Sequence, residues 1–324
     1  MTKLFQAKPY IIAEVGSNWK NFTEAKDSIS FAKQAGADAV KFQAFRAEDL
    51  YSYNLLKIEQ MQEGIPLDWL PKLKEKADAC GIDFMCSAFS PELYEVVNPF
   101  VEVHKIASSE ITYPQLLEKV KSFKKPILLS VGASSKSDVE LAMQVLRGGP
   151  QIVLMYCSAA YPSTMFNLFQ MQDLRDTFDV PVGFSDHSLD AVYAPLSAHH
   201  HFDAIVIEKH VNFTDHETPD SRHSLSHKDF VYMCELLHGK RDYKEFNPQP
   251  EEKEMFLKHN RRLIAIKDIA AGDAFRYGDN FGAYRSLTDD SKGIIPHAWE
   301  ALMKSNGARR AIKAGEGISQ GDFL

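Results

Sequence analysis

Ile205-Val206-Ile207-Glu208-Lys209-His210 is a β-branched apolar run that breaks into three polar residues of different chemistry. A short run of this kind, bounded by a polar cluster, reads as a strand of a buried parallel sheet. In an α/β barrel, the residues that end such a strand form the catalytic rim. Pro181-Val182-Gly183-Phe184 ends similarly, in Ser185-Asp186-His187. Two strand ends that each deliver a histidine point to a two-histidine metal site with open positions. Alternation along the strand puts Glu208 and His210 on one side and Lys209 on the other.

Outward from this stretch the chain repeats one unit. Tyr10 to Ala13 reads as a strand ending at Glu14, Asn21 to Gln34 as a helix stopped at Gly36, and Asp38 to Gln43 as the next strand. Strand, helix and strand within about 30 residues make a βαβ unit. Further strands are expected at Ile82–Cys86, Val101–Ile106, Pro126–Val131 and Ile152–Cys157, with a helix after each and one from Leu189 to His201 before the final strand. Eight such pairs in about 240 residues predict a (β/α)8 barrel of the TIM type. A doubly wound sheet is the alternative, but there is no GxGxxG turn to open one. Polar residues fall at the strand ends, at Glu14, Lys41, Ser87, Lys105, Ser130, Tyr161, His187 and His210. His199-His200-His201 closes a helix at the other end of a strand, where the helix dipole favours histidine, and is read as structural.

The bulk numbers agree with this class. The 324 residues are 44% hydrophobic and 25% charged, with a net charge of -7. There is no basic face for nucleic acid, and no run long enough to span a membrane. The four cysteines form no CxxC pair, which fits a reducing compartment, and no apolar secretory segment opens the chain, so a cytoplasmic location is expected. The barrel is placed at 1–240. A charged, proline-containing linker follows at 241–258, and then a small β-rich domain at 259–324.

Five motifs carry a resemblance: Glu14-Val15-Gly16-Ser17-Asn18, Gly36 to Gln43, Lys105 to Glu110, Gly183 to His187, and Ile207 to His210. In type and order they resemble the sialic acid synthase (N-acetylneuraminate synthase) family. The tail from Arg261 through Arg285 to Gly321 resembles that family's antifreeze-like (SAF, β-clip) domain. The resemblance implies condensation of phosphoenolpyruvate with an open-chain N-acyl hexose, giving a nine-carbon 2-keto acid and phosphate. It also implies a divalent metal, manganese before magnesium or cobalt, and a domain-swapped homodimer.

The residues match what such chemistry needs. Lys41 and Lys105 would offset the charges of phosphoenolpyruvate, with hydroxyls from Ser87, Ser108 and Ser185. His187 and His210 would hold the metal as neutral imidazoles, with Asp186 either orienting one of them or capping the next helix. Glu110 and Glu208 are candidates for the general base, and the family pattern puts Glu14 near the sugar. Tyr161 would pack near the reacting carbons. Asp220 matches the loop that binds sugar hydroxyls, and Arg285 matches the arginine that reaches the N-acyl group from the partner subunit.

Four positions depart from the family pattern. Trp19 stands where the family has His, and Ala159 replaces a phosphate-binding asparagine, a loss of roughly 1–3 kcal/mol if no other donor takes over. Thr218-Pro219-Asp220-Ser221 replaces Gly-Pro-Asp-His, and Cys86-Ser87-Ala88 replaces Ser-Thr-Pro. The altered residues face the sugar, which leaves a modified acceptor open, as in the legionaminic, pseudaminic or spore-coat synthases. Two other readings stand beside this one: a 3-deoxy-sugar-acid synthase using Arg46 and Arg222 for a second phosphate, and a non-catalytic binding homologue.

Overall fold

The computed structural model describes residues 4, 9–51, 64–239, 259–285 and 293–323. The chain divides into two compact units, Met1–Lys240 and Arg241–Leu324. The expected linker at 241–258 lies outside the described residues.

The first unit is an eight-stranded parallel barrel. Its strands are β1 (Tyr10–Gly16), β2 (Ala39–Ala44), β3 (Asp83–Ala88), β4 (His104–Ile106), β5 (Ile127–Ser130), β6 (Ile152–Tyr156), β7 (Val182–Asp186) and β8 (Val206–Asn212). They pair in the order β3-β2-β1-β8-β7-β6-β5-β4, and β3 lies beside β4 where the ring comes round. The helices are α1 (Phe22–Gln34), the single turn α2 (Ala47–Leu50), α3 (Leu70–Cys80), α4 (Pro91–Val97), α5 (Pro114–Ser122), α6 (Lys136–Leu146), α7 (Phe169–Phe178), α8 (Tyr193–Phe202) and α9 (His227–His238). A two-residue strand, β9 (Leu225–Ser226), adds to the end of β8.

Side-chain alternation decides what the barrel encloses. Tyr10, Ile12, Ala39, Met85, Val103, Leu128, Val153, Met155 and Val206 point inward and form an apolar plug. Their neighbours Ile11, Val40, Phe42, Phe84, Leu129, Leu154, Phe184 and Ile207 point outward, under the helices, in the larger core. Further along the same inward rows come Glu14, Lys41, Ser87, Lys105, Ser185, Glu208 and His210, all buried. The plug thus puts a dry floor beneath a ring of polar groups at the C-terminal strand ends.

Some boundaries differ from the sequence expectation, each for a local reason. α1 starts at Phe22 because the Asn21 side chain accepts the Glu24 amide and acts as N-cap. α8 starts at Tyr193 and not at Leu189. The Asp190 carboxylate takes the amides of Val192, Tyr193 and Ala194, so the helix forms only beyond it. β4 begins at His104, although Val101 and Val103 are buried, because the turn Asn98–Phe100 leads in just before them.

The second unit has its own core of Leu263, Ala265, Ile269, Phe275, Phe281, Leu302, Ile312, Ile318 and Phe323. Around it stand the antiparallel pair β10 (Arg262–Ala265) and β11 (Phe281–Tyr284) and the short helix α10 (Trp299–Met303). The expected strands near Ile269 and Ile312 meet in one isolated bridge. Arg285 follows β11 and is exposed. Among the described residues, no helix is long and apolar enough to cross a membrane.

Candidate active site

The barrel floor holds an alternating row of charges. Lys41 on β2 lies 2.9 Å from Glu14 on β1 and 3.6 Å from Glu208 on β8, and Lys105 on β4 lies 3.6 Å from Glu208. Neutral donors and acceptors complete the row. Lys41 donates to Ser87 Oγ at 3.2 Å, Ser185 donates to Glu208 at 2.8 Å, and Gln43 donates to Glu14 at 2.6 Å. Strand register makes this possible, since Glu14 stands opposite both Lys41 and His210, and Ser185 opposite Glu208.

Burial treats the two carboxylates differently. It raises the Glu14 pKa, against the opposing pull of Lys41, with Glu208 adding to the rise. Burial also opposes ionisation of Glu208, but Lys105, Lys41 and the Ser185 hydroxyl outweigh it and hold this group well below the usual range. Burial lowers the Lys105 pKa, whereas at Lys41 the two glutamates overcome the burial effect and raise it. Glu208 is therefore the fixed anion, Glu14 the carboxyl able to carry a proton, and Lys105 the cation less fully matched by acids.

Above the floor lies a cleft of about 670 Å³ whose walls include Ser109, Thr112, Ser134, Ala159 and Tyr161. His187 and His210 meet here, with ring centroids 5.4 Å apart. Burial pushes His187 down to about 4 and His210 well below its ordinary value, so both imidazoles are neutral. His187 Nδ1 donates to the Ser158 carbonyl at 2.9 Å, which leaves Nε2 with its lone pair. That carbonyl orients the ring; Asp186 does not. The Asp186 carboxylate binds Lys209 at 2.6 Å and the Ser188 amide at 2.8 Å, on the outer face of the sheet. Lys209 also reaches the carbonyls of Ser188 and Asp190, which ties the β7–α8 loop to β8.

The remaining expected residues divide. Tyr161 is largely exposed and stacks on His187, with centroids 4.3 Å apart. Ser108 accepts the Gly132 amide at 2.9 Å and touches Cys157. Asp220 enters the cleft. Glu110 sits apart from the charged row: it ends the turn Ser108–Glu110, burial raises its pKa, and Ser109 is its hydrogen-bond partner. Arg46, considered for a second phosphate, is held by Asp49 through two hydrogen bonds of 2.8 Å. His199-His200-His201 lies in the last turn of α8, with His199 bound to the Ala204 carbonyl.

His223 is a cleft residue that sequence reading passed over. It closes the turn Ser221–His223, and its ring stands 4.5 Å from His210 and 5.0 Å from Tyr161. The signal was its position three residues after Asp220, a spacing that a 3₁₀ turn brings onto one side.

Residues 28–243 match the NeuB family over most of the barrel. The chain belongs to the NeuB family. This NeuB-family chain is similar along nearly its whole length to the pseudaminic acid synthase of Helicobacter pylori, at 30% identity over 97% of the chain and 98% of that protein. It is 32% identical to the N,N'-diacetyllegionaminic acid synthase of Campylobacter jejuni, over 84% of the chain and 89% of that protein. Among solved structures, the Bacillus subtilis spore coat polysaccharide biosynthesis protein spsE matches with a TM-score of 0.63 and 28% identity, over 98% of the chain and 96% of that one.

The departures now have places. The Trp19 indole donates to the Gly16 carbonyl and packs edge-on to Trp69. Ser221 braces its loop, accepting from Asn212 and from the Thr218 amide. Ala159 is exposed on the cleft wall.

Proposed function

We propose that this NeuB-family enzyme condenses phosphoenolpyruvate with the open-chain aldehyde of an N-acyl hexose, giving a nine-carbon 2-keto acid and phosphate. The observation that carries the reading is the buried Glu14–Lys41–Glu208–Lys105 row beneath two neutral histidines. Lys105 and Lys41 hold the anionic groups of phosphoenolpyruvate, helped by the hydroxyls of Ser87, Ser108 and Ser185. C3 of the enol forms the new bond to the aldehyde carbon, and the aldehyde oxygen takes a proton from Glu14. The water that adds at C2 gives its proton to Glu14, left ionised by the first step, while Glu208 stays the anion that fixes the two lysines. The C–O bond to phosphate then breaks and the keto group forms. Glu110, outside the charged row, has at most an indirect part. Asp220 and Tyr161 line the acceptor side.

His187 and His210 fit a divalent metal, because both are neutral and buried and His210 Nδ1 has no hydrogen-bond partner among the described residues. Bound there, a metal such as manganese, magnesium or cobalt supplies Lewis acidity toward the acceptor carbonyl. The second unit, read as the SAF domain, lends Arg285 of the partner subunit to the N-acyl group in a domain-swapped homodimer. The four free cysteines fit a cytoplasmic location. The modified acceptors named for the relatives are the first to try, because Ala159 and Ser221 alter the sugar-facing wall.

Phosphate release from phosphoenolpyruvate is the assay. It should require an N-acyl hexose and a divalent metal, and collapse in His187→Ala. Undiminished turnover in that variant, or turnover with phosphorylated sugars alone, would overturn the proposal.

A further inference from the structure

We propose that His223 is a metal ligand, joining His210 and Asp220 in a donor set that reaches beyond the His187–His210 pair. One nitrogen from each histidine and one carboxylate oxygen of Asp220 lie within 4.8 Å of one another, a span that one ion can bridge. The inference rests on the metal-dependent reading above and adds to it a ligand that the two-histidine pattern does not contain.

The set is built and held in place. Asp220 presents two oxygens with separate duties. Oδ2 accepts the Ser17 amide at 2.8 Å, while Oδ1 faces His223 at 3.8 Å. The close approach depends on Gly16, because a Cβ there would stand 2.3 Å from Asp220 Oδ2. The turn that carries His223 is braced on three sides. Ser224 Oγ donates to the Asp220 carbonyl at 2.7 Å, Asn18 donates to Ser224 Oγ at 2.8 Å, and Thr218 donates to Asn18 at 2.5 Å. His210 is at least nine-tenths buried, and its Nδ1 has no hydrogen-bond partner among the described residues.

A third ring nitrogen changes the metal as well as the grip. Imidazole-rich sets favour cobalt or zinc, whereas water and carboxylate sets suit magnesium. The site should therefore bind cobalt and zinc far more tightly than magnesium. His223 would contribute a large share of that margin.

The test is direct metal binding to the full-length protein after chelation and dialysis. Cobalt affinity is read by calorimetry and by visible absorption, and zinc and magnesium affinities by competition. His223→Phe keeps a ring against Tyr161 but cannot ligate, and His223→Gln keeps a polar group of similar reach. Both should weaken cobalt at least about tenfold, change its absorption spectrum and narrow the zinc-to-magnesium ratio. Circular dichroism and thermal unfolding of the metal-free protein should stay as in the parent. Unchanged affinity and spectrum in both variants, with His210→Ala weakened, overturns the role of His223 and leaves the two-histidine reading standing. If His187→Ala and His210→Ala also bind cobalt as the parent does, the metal-dependent reading fails, and the His223 assignment with it.

Discussion

Glu14 and Glu208 touch the same lysine, yet burial and partners push them in opposite directions. Glu208→Gln would strip two buried lysines of their shared anion. The expected result is a loss of at least about 100-fold in kcat/KM and of about 3–5 kcal/mol in stability. Steady-state phosphate release and urea unfolding measure the two. His104 offers a separate test, away from the cleft. Burial, with Lys125 adding to it, holds this ring down to about 4, Nε2 meets Asn98 at 3.1 Å, and Nδ1 has no hydrogen-bond partner among the described residues. The folded pKa is below the unfolded value of about 6.5, so its contribution is complete above that pH and is lost as pH falls toward 4. Between those limits, His104→Gln should lose about 3 kcal/mol less stability than the parent, read from unfolding curves at each pH. At this level the sequence was informative where a strand end names the residue. Lys41, Lys105, His187 and His210 lie in or just past the strands whose apolar runs pointed to them. Glu110 was named but stands outside the charged row, and His223 went unread, because short turns, which carry no periodic signal, place both.

The loop Thr218–Ser224 and the end of β1 work as one piece. Gly16 has φ +55° and leaves the space that Asp220 fills. Gly16→Ala should therefore cut kcat/KM sharply, because the methyl displaces Asp220 as well as straining the backbone. Gly81→Ala provides the comparison: its φ is +65°, but a Cβ there meets nothing within 4 Å. It should cost only about 1 kcal/mol and leave kinetics unchanged. Equal kinetic loss in both would remove Asp220 from the explanation. Strands were legible as elements because each is a short apolar run, buried on both faces, that ends in polar residues. Helix starts were less so. The caps at Asn21 and Asp190 act through side-chain oxygens whose direction a pattern of apolar residues does not encode.

The two units, each with a core of its own, supply different parts of the proposed enzyme. If Arg285 serves the partner's barrel, Arg285→Ala and Lys105→Met protomers should complement each other. A heterodimer then has one barrel with both lesions and one with neither. After mixing and re-equilibration, about a quarter of parent activity should return; no recovery would mean that each barrel uses its own Arg285. The barrel was the most legible feature, since eight repeats reinforce one another. The second unit was less so, because its core is tied mainly by isolated bridges with little period to read. One consequence follows from the pairing of β1 with β8 and from Asn18 bonding across to Val211 and Ser224. On the ribosome, the first strand of the ring must wait for the last. At ordinary elongation rates, the roughly 200 intervening residues take on the order of 10–40 s. Throughout that interval β1 has an open edge on the side that β8 will occupy. Neither the histidine pair nor the charged row is complete before then, since His210 and Glu208 both lie on β8.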